Sequence, residues 1–164
     1  MIIARNIIGK VGNPIFADRK VDWIDVPSFE ATKRIMRCKT ELGTEIAIEL
    51  PRGSYLSDGA VIADTGDVII VIRRQPEDAL VIRFDRTADP EILVEDVAKV
   101  GHAFGNQHLP MEVDGLEIRV PITTSQSVME HTLEHIGLRV AEASFKKVKF
   151  ALEEGFQGGS HHGH

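Results

Sequence analysis

The stretch Asp89-Pro-Glu-Ile-Leu-Val-Glu-Asp-Val-Ala-Lys-Val-Gly-His-Ala-Phe-Gly105 opens with the chemistry of a helix start. An aspartate stands at the capping position, a proline where the first helical N–H would lack a partner, and a glutamate in the first turn. Leu93, Val97, Val100 and Phe104 then recur at helical spacing, and Gly105 supplies a C-cap. Upstream, Leu80-Val-Ile82 reads as a strand. Downstream, Met111–Val113 and Leu116–Val120 flank the turn Asp114-Gly115 and form a hairpin. Ser127-Val-Met-Glu130 is a capping box, and Met129, Leu133 and Ile136 carry a second helix to about Gly137. A last strand falls between Leu138 and Phe150. The order βαββαβ predicts a ferredoxin-like arrangement for residues 75–150. That arrangement hosts many unrelated functions and does not decide a role.

Residues 1–74 have a different rhythm. Ile46, Ile48 and Leu50 alternate with Glu45, Ala47 and Glu49, the period of a half-buried strand. Pro51-Arg-Gly53, Asp58-Gly59 and Asp64-Thr-Gly-Asp67 punctuate the apolar runs around Val61-Ile-Ala63 and Val68–Ile72. With no helical period, this half reads as an all-β domain. Arg73-Arg-Gln-Pro-Glu77 is a polar joint that serves as a short linker. Residues 151–164 are glycine-rich and polar, a flexible histidine-containing tail. The expected class is α+β.

At 164 residues with 43% hydrophobic content, the chain can bury a core without staples. Cys38 is the only cysteine, so no internal disulfide forms, and a reducing cytoplasm is the expected setting. Met1-Ile-Ile-Ala-Arg-Asn-Ile-Ile8 is too short and interrupted for a signal segment, and no apolar run is long enough to span a membrane. The net charge of −6, with 25 acidic against 19 basic residues, leaves no basic footprint for nucleic acid.

The seven histidines are the informative feature. Imidazole suits nickel, copper, zinc and iron. His161, His162 and His164 lie in the last four residues, and a histidine-rich tract of this kind reads as metal binding. Purification tags are usually uninterrupted histidine runs, and Gly163 breaks this one. His108 follows the first helix of the second domain, where the carbonyl end favours a cation by ~0.3–1 kcal/mol if exposed. By spacing alone, a loop histidine is more often solvated or hydrogen-bonded than a ligand. His102 falls opposite the apolar stripe and has no evident partner. His131-Thr-Leu-Glu-His135 matches a zinc-peptidase string. At about 100° per residue, however, both histidines point away from the Met129/Leu133/Ile136 face, towards solvent. A solvated helix face is the first reading and a weak auxiliary metal site the second. Cys38 lies in an apparent strand with no motif around it and reads as structural.

Gly105-Asn-Gln-His-Leu-Pro110 resembles the Gly-Asn-Arg-His segment of the urease accessory nickel metallochaperones, the UreE family. Arg37-Cys-Lys-Thr40, Gly43–Ile48, Leu50-Pro-Arg-Gly53, Leu56–Ile62, Ile118-Arg-Val-Pro121 and the histidine-bearing end also fit, in the same order. The resemblance implies a β-rich, peptide-binding-like domain followed by a ferredoxin-like one. It further implies that His108 binds nickel at the two-fold axis of a homodimer, with His161, His162 and His164 completing or supplementing the site. Zinc or copper would substitute. Pairing of dimers is left open. The implied partners are apo-urease and an accessory complex that includes a GTPase, with no catalysis by the carrier. Gln107 stands where the family has arginine. Ser125 and Ser127 stand where some members have a His-x-His pair, so that extra site does not transfer.

A site with few ligands and open positions can bind and release, whereas an enclosed cage cannot. A two-fold interface turns one histidine per chain into two ligands. The tail, taken as a random coil, reaches about 20 Å. Two other classes compete: a peptide- or protein-interaction module with incidental histidines, and a small zinc hydrolase built on His131 and His135.

Overall fold

The computed structural model describes residues 1–150; residues 151–164, with the expected tail ligands His161, His162 and His164, lie outside the described residues. It is mostly sheet with two α-helices. The backbone packs as two compact units, Met1–Gln75 joined by Lys149 and Phe150, and Pro76–Val148.

The first unit has strands β1 (Ile2–Ala4), β2 (Gly9–Lys10), β3 (Lys20–Asp25), β4 (Ile35–Lys39), β5 (Glu45–Glu49), β6 (Ala60–Asp64) and β7 (Val68–Arg73). They form a three-stranded sheet in the order β1-β5-β4 and a four-stranded sheet in the order β2-β6-β7-β3. One core draws Ala4, Ile46, Ile48, Ile24, Ile70 and Ile72 from both sheets. On the other side of β7, Ile69 and Val71 pack with Phe16, Val21 and Trp23. Covered on both faces, β7 has no reason to alternate, hence its unbroken apolar run.

The polar joint read as a linker does hold the boundary between the two units, but its second residue is not solvated. Arg74 is 1% exposed. Its guanidinium donates to the Tyr55 hydroxyl at 2.8 Å and the Ser28 hydroxyl at 2.8 Å, and its backbone N–H donates to Asp58 at 2.7 Å. An arginine with its planar head hydrogen-bonded inside the unit is an anchor, which sequence position alone does not disclose.

The second unit comprises β8 (Glu77–Phe84), α1 (Pro90–Asn106), β9 (Glu112–Asp114), β10 (Glu117–Pro121), α2 (Gln126–Ile136) and β11 (Ala141–Val148). Its sheet runs β11-β8-β10-β9, with every pairing antiparallel. Leu80, Ile82, Phe84, Ile118 and Val120 meet Val100, Phe104 and Met129 of the helices in a single core. Asp89 caps α1, accepting from Glu91 N–H at 2.8 Å. The inward row of α1 is Leu93, Asp96, Val100 and Phe104 rather than the expected row through Val97, which is 39% exposed. Asp96 is fully buried and accepts the Arg139 and Val140 amides at 2.8 and 2.9 Å, tying α1 to the segment that enters β11. The α2 cap also differs from expectation: Ser125, not Ser127, accepts from Val128 N–H, at 3.3 Å.

Opposite the helices, the sheet carries a charge ladder. Glu117 accepts from Arg83 at 2.7 Å and from Arg119 at 2.7 Å, and Arg119 also reaches Asp114 at 3.1 Å. The Arg83 and Arg119 guanidiniums hold the Glu117 carboxyl at about 2, well below the ordinary 4.5. A depressed folded-state value means this stabilisation is complete above the unfolded value and is lost as pH falls from about 4.5 towards 2. Glu117→Gln is therefore expected to lower stability by roughly 1.5–3 kcal/mol at neutral pH, the scale of hydrogen bonds to charged groups. Urea titrations should show the difference from the parent chain shrinking as the solution is acidified through that window.

Candidate metal centre

His108 sits where α1 stops, and the stop has a defined geometry. Its N–H donates to the Gly105 carbonyl at 3.0 Å, and the Leu109 N–H reaches back to the Phe104 carbonyl at 3.2 Å. This is a Schellman cap, and His108 occupies the left-handed position with φ 55°. It is the only non-glycine residue with positive φ among the described residues. Helix α2 ends at Gly137 with φ 65°, the residue such a position favours. At the end of α1 the same backbone shape presents an imidazole. Beneath the cap, Phe104 and Leu109 are both buried in the core, the apolar pair that accompanies this motif. The helix runs to Asn106 with Gln107 as its cap residue, two positions beyond the expected Gly105.

The His108 side chain is exposed, and the last turn of α1 carries no basic residue. The carbonyl end is therefore open to an external cation. Gln107 donates to the Ala103 carbonyl and to the Thr132 hydroxyl of α2, each at 3.3 Å, which ties the cap to the second helix. His102 is exposed and pairs with the Asn106 side chain at 3.1 Å, so it does have a partner. The i, i+4 spacing of the two was visible in the sequence. His131 and His135 are both exposed on α2. Along α1, the exposed Val94 and Val97 continue into Gly101 and Gly105, where an added methyl would meet no neighbour within 4 Å. That row lies about 100° around the helix from the core row and leads to His108.

Among the described residues, no three histidine, cysteine, aspartate or glutamate side chains of one chain converge to hold a metal ion. Cys38 lies half-buried in β4, where desolvation, aided by the charge of Glu30, pushes its thiol above the ordinary range. No helix among the described residues is long and apolar enough to cross a membrane.

Comparison with known proteins fits this two-unit architecture. Residues 4–75 match the UreE urease accessory protein N-terminal domain, and residues 78–164 match its C-terminal domain. A urease accessory protein UreE of Corynebacterium efficiens is 34% identical over 145 residues, covering 87% of this chain and 91% of that protein. Its counterpart in Actinomyces naeslundii is 33% identical over 134 residues, 76% and 78% of the two chains. That of Flavobacterium johnsoniae is 35% identical over 121 residues, 73% and 69%. The chain belongs to the UreE family of urease accessory proteins. It is an accessory protein and not an enzyme, which removes the zinc-hydrolase reading of His131 and His135.

A left-handed backbone strains any side chain bearing a Cβ by about 1–2 kcal/mol, least for short polar residues and most for β-branched ones. His108→Gly is expected to leave stability at or above that of the parent. His108→Val should lower it by roughly 1–2 kcal/mol relative to the glycine variant. Thermal unfolding of the two variants side by side reads the strain directly.

Proposed function

We propose that this chain is a nickel carrier for urease maturation, binding the ion through His108 and delivering it to apo-urease. The cap at the end of α1 carries this reading. It spends backbone strain to hold an exposed imidazole at a carbonyl terminus, which serves a cation and nothing in the core. One histidine makes a poor site, and a second copy related by two-fold symmetry brings another. The exposed Val94 and Val97, continued by the half-buried Gly101 and Gly105, offer that copy an apolar surface of small residues beside His108. We therefore read the protein as a homodimer through its second unit, with His161, His162 and His164 of the tail supplementing the ion.

In this reading residues 1–74 are a peptide-binding-like domain facing the maturation complex, including its GTPase. Residues 75–150 are a ferredoxin-like metal-binding and dimerisation domain, in keeping with the sheet order β11-β8-β10-β9. Residues 151–164 are the metal-binding tail. The setting is cytoplasmic. Affinity order does not favour nickel over copper, and zinc or copper would occupy the same imidazoles. Selection then falls to geometry, supply and the receiving partner.

His108→Ala is expected to abolish the tightest nickel site in calorimetric titration at neutral pH; an unchanged site would end this proposal. Removing residues after Gly159 should lower nickel stoichiometry or affinity while light scattering still gives a dimer. Val97→Glu, by contrast, is expected to shift the mass towards the monomer and to weaken the tight site along with it. A chain that stays dimeric would place the interface elsewhere.

A further inference from the structure

We propose that His131 and His135 form a second metal site, a two-imidazole site on α2 for a divalent late first-row ion such as nickel or copper. It does not rest on the role given to His108. Residues four apart on a helix stand with Cβ atoms about 5–6 Å apart, close enough for two imidazole nitrogens to take neighbouring positions on one ion. Here the spacing is held rigidly. Ser125 caps the start of α2, Gly137 closes its end, and Met129, Leu133 and Ile136 fix the opposite face in the core. The helix therefore cannot roll the two histidines apart.

Both rings are available. His131 and His135 are exposed, and no hydrogen bond or ion pair among the described residues engages either ring. The surrounding charge suits a cation. Glu134, also exposed, lies between them in sequence, and His135 is in the last turn, where the helix carbonyls favour positive charge. No third protein ligand joins them among the described residues, so water fills the remaining positions and the ion exchanges readily. The site also lies near the cap. The Gln107–Thr132 hydrogen bond joins the neighbours of His108 and His131, which places the two within about 20 Å of each other by backbone steps of ~3.8 Å. An ion released at one is thus close to the other.

The test uses the full-length chain carrying His108→Ala, which silences the cap. Sub-stoichiometric Cu2+ is added to the 15N-labelled protein, and Ni2+ binding is followed by calorimetry. Selective broadening of amides in the 127–136 segment is expected, with signals of the tail histidines read separately in the same spectrum. Adding either His131→Ala or His135→Ala should abolish the α2 broadening and weaken Ni2+ binding there by at least about tenfold, since losing a ligand costs no less than losing its outer-shell support. Circular dichroism confirms that these surface variants keep the helix. Broadening that only halves with each variant would mean two independent solvated histidines and would overturn the proposal, as would no broadening of α2 at all.

Discussion

The amide of Leu109 returning to the carbonyl of Phe104 is the contact on which the placement of His108 depends. Phe104 is fully buried and Leu109 nearly so, and together they pin both sides of the turn to the core of the second unit. The backbone of His108, between them, has little freedom left. It must be left-handed, and the side chain must project outward. A histidine in an open loop would sample many backbone orientations. A histidine in this cap has its backbone fixed, which under the proposed reading lowers the entropy lost on taking up an ion.

Much of the second unit was legible because its signals are local. Asp89, Pro90 and Glu91 define a helix start within three residues, and Asp114-Gly115 defines a hairpin turn within two. What escaped depends on distant partners. Asp96 reads as a surface carboxylate until the amides of Arg139 and Val140, over 40 residues away, are brought to it. Its apolar side chain makes Val97 read as inward, whereas the helix gives that row to an acid. Arg74 is similar: Ser28 and Tyr55 turn a linker residue into an internal anchor. Ser125 and Ser127 both have capping chemistry, and α2 starts two residues before the box at Ser127 predicts. The earlier start also lets Gln126 donate to Glu130 at 2.9 Å along the helix face.

The candidate site was legible as a histidine and illegible as a geometry. Composition singles out the tail, the family resemblance singles out His108, and the outward direction of His131 and His135 follows from helical phase. The positive φ at His108 had no signal, since the residue that ordinarily reports such a backbone is glycine. The cap instead stands two positions past Gly105, where a simple C-cap reading stops. Family membership adds accessory status to urease; the ion, its ligands and the dimer are carried by the proposed reading of the cap.

The lone thiol has a bearing on this chemistry. Cys38 points into the first unit's core from β4, with its thiol held protonated by burial and a nearby carboxylate. Thiolates are the softest and most tenacious ligands that a chain can offer, and they are also what peroxide and disulfide exchange attack. By keeping its one thiol neutral and inward, the protein leaves imidazole as the strongest surface donor. In the proposed reading, an ion bound through those imidazoles is held by groups that protons or a better-equipped acceptor can relieve of it, and two copies have no ready thiolate through which to become covalently locked.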